Sequence, residues 1–207
     1  ARFFVDATGD ATLATYAGFP SEIGDENGET QAGTLCSTVG NVDVERYRAY
    51  MQRARRPGDW QALDEPLERA INDGVFTQPD RHLPGIFLWG EGYGILNAGH
   101  LFGMNFLSDA DLTRGMILGR KIAQEYMTFY RTYVEGCESI VHVATAPMVG
   151  VRETRRIIGE YKLVVADYQA RRSFPDEIGR FNYGVDIHRS NVSLEAYKAL
   201  VEELTKT

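Results

Sequence analysis

Ser108-Asp109-Ala110-Asp111-Leu112-Thr113 opens the longest periodic run in the chain, and the reading of that run decides the fold. A serine followed by acidic first-turn residues is a helix start, because side-chain oxygens satisfy the free N–H groups there. Beyond it Leu112, Met116, Gly119, Ala123, Met127, Tyr130 and Val134 recur at steps of three and four. That spacing predicts one helix over about 109–134 with an apolar stripe facing a core, stopped by Gly136. A buried strand is expected next, over Ser139 to Pro147, with His142 inside it as a satisfied core histidine.

Upstream, Asp43 can cap a helix over 44–56 with Val44, Tyr47 and Met51 inward, and Pro57-Gly58 stops it. A second helix is predicted over 60–73, with Leu63, Leu67, Ala70 and Ile71 inward and Gly74 at its end. Residues 85–98 read as a β-hairpin, with Phe87, Trp89 and Tyr93 packing its core. Its glycines form G-x-G-x-G with no helix behind them, so a nucleotide loop is not expected here. At the start, residues 2–5 read as a strand, Asp6–Asp10 as a turn, and Ala11–Ala17 as a short helix ended by Gly18, with Asp10 as its cap. Such a helix N-terminus offers backbone N–H groups to an anion. Residues 20–33 read as a polar loop and Thr34–Val39 as a strand. A short helix is expected over 165–172, an irregular stretch over 180–192, and a final amphipathic helix over about 193–205. Strands and helices mix without a regular β-α-β alternation, so the predicted class is α+β with a mixed or antiparallel sheet and several helices.

The 207 residues are 43% hydrophobic and 25% charged, with a net charge of −7, enough for one sizeable core or two small ones. The acidic balance and the lack of a basic stripe argue against nucleic acid. No apolar run approaches the ~20 residues of a membrane helix. Cys36 and Cys137 stand far apart and read as reduced thiols of a cytoplasmic protein. The four histidines show no HxxxH or HxH pair, so no metal site is expected. The chain begins inside what reads as a strand, and it is expected to be a piece of a larger protein.

Gly150-Val151-Arg152-Glu153-Thr154-Arg155-Arg156-Ile157-Ile158-Gly159-Glu160-Tyr161 concentrates charge beside residues that want burial. Arg155 and Arg156 point in different directions in a helix or a strand. At least one guanidinium is therefore drawn toward a core or cleft, where it needs carboxylate, phosphate or carbonyl partners. Two readings stay open: a structural network with Glu153 and Glu160, or a ligand site.

Phe4-Val5-Asp6-Ala7-Thr8-Gly9-Asp10-Ala11, the Asp109 helix, the Gly150–Tyr161 stretch, Phe174-Pro175-Asp176-Glu177-Ile178 and Asp186-Ile187-His188 occur here in one order. That order resembles the FAD-dependent oxidoreductase family of the glutathione-reductase-like flavoprotein superfamily. The resemblance implies that residues 1–40 belong to an FAD-binding domain and 41–148 to a substrate or cap domain. Residues 149–207 would then return to line the cleft. It also implies FAD as cofactor, with Ala7, Thr8, Gly9 and Asp10 beside it, and hydride transfer from a small polar organic substrate to flavin. Arg152 or Arg155 would hold a substrate carboxylate or the flavin edge. The dinucleotide G-x-G-x-x-G and the motif that closes over the flavin are both absent, so missing portions of the same polypeptide are expected partners and this piece is expected to be inactive alone. For the proton, His188 is the first candidate base, with Asp186 two residues away, and His100 the second; Tyr161 could donate to a substrate oxygen. The alternative is a non-catalytic binding or assembly module whose arginines form an ion-pair network.

Overall fold

The computed structural model describes residues 1–55, 62–78, 80–180, 182–184 and 186–188. The predicted final helix over 193–205 and the Pro57-Gly58 stop lie outside the described residues. The architecture is α+β, built from small antiparallel sheets around one long helix.

In chain order, α1 spans Thr12–Tyr16, β1 Ser21–Ile23, β2 Gly33–Thr34, β3 Ser37–Gly40, α2 Val44–Ala54 and α3 Asp64–Asn72. Then come β4 Ile86–Leu88, β5 Gly94–Leu96, β6 His100–Leu101, α4 Asp109–Tyr133, β7 Val141–Thr145, β8 Arg155–Ile157 and α5 Val165–Gln169. The largest sheet has the order β4-β5-β3-β7, and two small pairs, β1–β8 and β2–β6, lie apart from it. In the ladder between β3 and β7 the register shifts at Thr38/Val39, and Val143 is left over as a bulge between Ala144 and His142.

The long helix behaves as its sequence predicts. The Ser108 side chain accepts from the Asp111 N–H at 3.4 Å; the helix ends at Tyr133, with the extended Val134 as its cap, two residues before the expected stop at Gly136, whose φ is 83°. Gly119, Ala123, Met127 and Tyr130 are buried, and Ile122, Tyr126 and Phe129 widen the apolar stripe. Gly119 is needed for close approach: a Cβ there would stand 2.6 Å from the Leu35 Cβ. The segment joining β2 to β3 therefore lies directly on α4. Asp43 caps α2 by accepting from the Arg46 N–H, as expected. α3 starts later than predicted, at Asp64, with Leu63 as its buried cap residue. The hairpin is β4–β5.

Several expectations fail for identifiable reasons. Residues 2–5 do not form a strand: a strand exists only as part of a ladder, and no described segment pairs with them. Phe3 is 88% exposed. α1 is capped by Asp6 and Thr8 rather than Asp10: Thr8 Oγ1 accepts from Thr12 N–H at 3.0 Å and Asp6 Oδ2 from Ala14 N–H at 2.9 Å. The polar loop over 20–33 contains β1, because residues 155–157 offer it a partner strand. β7 is not buried; Val141 and Val143 face out, while Ile140 just before it is buried. His142 is not satisfied either, since its buried Nε2 has no hydrogen-bond partner among the described residues. Phe87, Trp89 and Tyr93 are exposed, so the hairpin packs through Ile86 and Leu96 instead.

Candidate functional site

The site grows from β2. Thr34 sits directly opposite His100 of β6 in an antiparallel pair. On its other side Thr34 forms a bridge to Gly150, donating its N–H to the Gly150 carbonyl at 3.1 Å and accepting the Gly150 N–H at 2.8 Å. One residue thus places the arginine stretch beside the histidine of a distant hairpin extension.

The arginine that follows uses this contact. Arg152 donates from Nη1 to the Ala32 carbonyl at 2.7 Å and to Thr34 Oγ1 at 2.8 Å. It makes no ion pair among the described residues, and its Nη2 and Nε donors have no partner there. Burial lowers its pKa, with the charges of Asp186, Cys36 and Asp80 acting against that. The guanidinium nevertheless remains a cation at any ordinary pH.

Opposite lies a cluster of imidazoles ordered by a buried carboxylate. Asp80, 3% exposed, accepts from His82 N–H at 3.0 Å, His100 N–H at 2.9 Å and His100 Nδ1 at 2.9 Å. Burial alone would raise its pKa, but these bonds outweigh burial and lower it. An ionised carboxylate can only accept, so the proton of His100 sits on Nδ1. His100 Nε2 then faces His188 Nδ1 at 2.9 Å. His188 turns its Nε2 to Asp186 Oδ1 at 3.0 Å, and its backbone N–H to the Gln31 side chain at 2.8 Å. His82 closes the group, its ring centre 5.1 Å from His100 and 5.2 Å from His188. Burial pushes the pKa of His82 down to about 4. It also lowers that of His188, where Arg152 is the strongest neighbouring charge.

The structure brings together His188, His100 and Arg152, and it leaves Arg155 apart. Arg155 pairs with Ile23 across β1–β8, and its side chain makes no hydrogen bond or ion pair among the described residues. Arg156 carries the structural network, bonded to Glu22, Glu153 and the Gly24 carbonyl at 2.6 Å. Glu160, the other expected partner, takes no part in it among the described residues. Tyr161 is engaged locally: it donates to Asp167 at 2.8 Å and accepts from Arg172 at 2.7 Å. Of the 6–10 turn, Asp10 Oδ1 accepts from Thr154 Oγ1 at 2.6 Å, and Gly9 at φ 80° faces open space. Ala7 and Thr8 are exposed.

Sequence reading missed Asp80, His82, Thr34 and Gln31. A signal for two of them exists. Asp80-Arg81-His82 repeats the Asp-x-His spacing of Asp186-Ile187-His188.

Both cysteines are free, and no helix among the described residues is long and apolar enough to cross a membrane. No curated protein matches the chain. No solved structure matches it either. The family model for FAD dependent oxidoreductases matches residues 1–203. A match over nearly the whole length settles the family: the chain belongs to the FAD dependent oxidoreductases, and the cofactor of the full protein is FAD.

Proposed function

We propose that this chain supplies the substrate-facing side of an oxidoreductase that takes a hydride from a small polar organic substrate bearing an anionic group. Arg152 carries the proposal. A partly buried guanidinium with free donors and no carboxylate partner among the described residues, beside a cluster of imidazoles, is an arrangement that an anion completes. A structural role alone would pair it, as Arg156 is paired with Glu22 and Glu153.

FAD, when bound, supplies the hydride acceptor. The residues present fit its reacting end better than its phosphates. Arg152 keeps Nη2 and Nε donors without a partner among the described residues, whereas the α1 N-terminus already has Thr12 and Ala14 N–H groups bonded to Thr8 and Asp6. A phosphate there would also meet the Asp6 carboxylate. We place Ala7, Thr8, Gly9 and Asp10 as a wall beside the cofactor, held in place through Asp10 and Thr154. Segments 1–40 and 149–207 meet through β1–β8, the Thr34–Gly150 bridge and the Gln31–His188 bond, which supports their forming one cleft, with 41–148 as the substrate domain. Arg152 orients the substrate anion. The imidazole cluster, with His188 as its outer member, forms the proton-accepting side. Arg155 has a place in this reading only as a second cation farther along the cleft wall. Portions of the polypeptide beyond this chain complete the site, and the whole acts in the cytoplasm.

The test is anaerobic mixing of the purified flavin-loaded protein with a panel of small hydroxy and amino carboxylates, followed by the visible flavin band. Bleaching by at least one of them, slowed ~100-fold or more in Arg152→Ala with little change in melting temperature, is expected. A protein without flavin absorption, or an Arg152→Ala variant that bleaches at the parent rate, overturns the proposal.

A further inference from the structure

The hydrogen-bond pattern of the imidazole cluster turns two ring nitrogens toward each other that need a proton or a metal ion between them. Asp80 fixes the proton of His100 on Nδ1, so Nε2 of that ring presents a lone pair. Asp186 does the same at Nε2 of His188, so its Nδ1 also presents a lone pair. These two atoms face each other at 2.9 Å. Two lone pairs at that distance repel unless something electron-poor lies between them. A shared proton would join these two rings, and a metal ion would join both of them and His82, whose ring stands beside them.

We infer that His82, His100 and His188 form a binding site for a divalent transition-metal ion of the zinc class. One ligand nitrogen from each ring lies within 4.8 Å of the others. Metal–imidazole bonds of ~2.0–2.1 Å in tetrahedral geometry place ligand nitrogens about 3.3 Å apart. The closest pair therefore has to open by a few tenths of an ångström and the third ring has to move inward, both within the reach of side-chain rotation. Behind the ligands stand the partners such sites require. Asp80 holds His100 by Nδ1, and Asp186 holds His188 by Nε2. Carboxylates in this position fix the tautomer and strengthen the ligand. They also offset the charge of Arg152. An all-imidazole set suits zinc, copper, nickel or iron and not magnesium or calcium, which take oxygen ligands. Three protein ligands leave one position open for water or a substrate oxygen. With the ion bound, His188 would be a ligand, and hydroxide formed from water in that open position would accept the proton. The site lies wholly within this chain and does not depend on flavin.

The experiment starts from chain stripped of metal by a chelator. Zn2+ is titrated by calorimetry, and Co2+ serves as a spectroscopic probe of coordination. One equivalent per chain is expected, with the strong d–d absorption of a four-coordinate cobalt complex. His82→Gln and His188→Gln should each weaken binding at least ~100-fold, and Asp80→Asn about 10- to 100-fold. No uptake at submillimolar Zn2+, or stoichiometric uptake unchanged in the variant that combines His82→Gln with His188→Gln, overturns the inference. Imidazole nitrogen NMR of the parent chain tests the same ligands without any variant. Zinc must shift His100 Nε2 and His188 Nδ1, and shifts confined to other nitrogens refute the site. Flavin enters none of these readouts, so flavin-loaded protein whose Arg152→Ala variant bleaches at the parent rate, while zinc still binds through these histidines, sinks the substrate proposal and leaves the metal site standing.

Discussion

Asp80→Asn isolates the carboxylate on which the cluster is built. Asp80 Oδ2 receives two donors from His100, its backbone N–H and Nδ1, both at 2.9 Å, and Oδ1 receives the His82 N–H at 3.0 Å. Asparagine can keep one oxygen in place, and the two bonds on Oδ2 make that the better site. Its amide NH2 then points at the His82 N–H, donor against donor. The change leaves one backbone N–H without its acceptor, worth roughly 1–3 kcal/mol, and turns two charge-assisted bonds into weaker neutral ones. A loss of about 3 kcal/mol follows. With a urea m value of ~2 kcal/mol/M, the unfolding midpoint falls by about 1.5 M. Urea melts followed by circular dichroism, with Asp80→Ala alongside, give the comparison, and the alanine variant must be at least as damaged because it removes all three hydrogen bonds. A midpoint shift below about 0.3 M for Asp80→Asn would refute the reasoning, since it would mean that the buried N–H groups find other partners easily.

Gly119→Ala should lower stability by about 1–2 kcal/mol, read as a drop in melting temperature. The added Cβ meets Leu35 at 2.6 Å, and the strain of overpacking outweighs the better helix propensity of alanine. Thiol alkylation at neutral pH should be slow at Cys36, whose pKa burial raises. It should be absent at Cys137, fully buried and pushed up to about 12, until denaturant is added. Mass spectrometry of the alkylated protein checks both, and rapid labelling of Cys137 in the folded chain would contradict its burial.

The parts of this fold that were legible in the sequence are those set by local chemistry. Asp43 and Ser108 cap their helices because an oxygen before an amphipathic run meets its N–H groups whatever surrounds it. The hairpin of β4 and β5 is legible for the same reason. What needed partners was misread. Phe3, Phe4 and Val5 look like a strand, and they are exposed because no described segment pairs with them. Val141 and Val143 look buried, and they lie on an open sheet face. The site followed the same division. Arg152 stood out as a cation beside residues that seek burial. The imidazole cluster did not, because His100 and His188 meet across 88 residues, whereas HxH and HxxxH patterns betray only ligands close together in the chain. Asp80 reaches His100 across 20 residues from outside any helix or strand, and β6 itself pairs with β2 over only two residues, which leaves no periodic trace.

The bulge at Val143 has a consequence for how the molecule behaves in a crowded solution. β7 is an outer strand of its sheet, and the exposed face there carries its own Val141 with Trp89 and Tyr93 nearby. A straight apolar edge of that kind would template the addition of a second copy, strand upon strand. The extra residue twists the strand and breaks the even row of N–H and C=O groups, and Pro147 removes a donor just beyond it. A chain lacking Val143 would keep every other apolar group on that face and lose the irregularity that hinders its growth into a fibre.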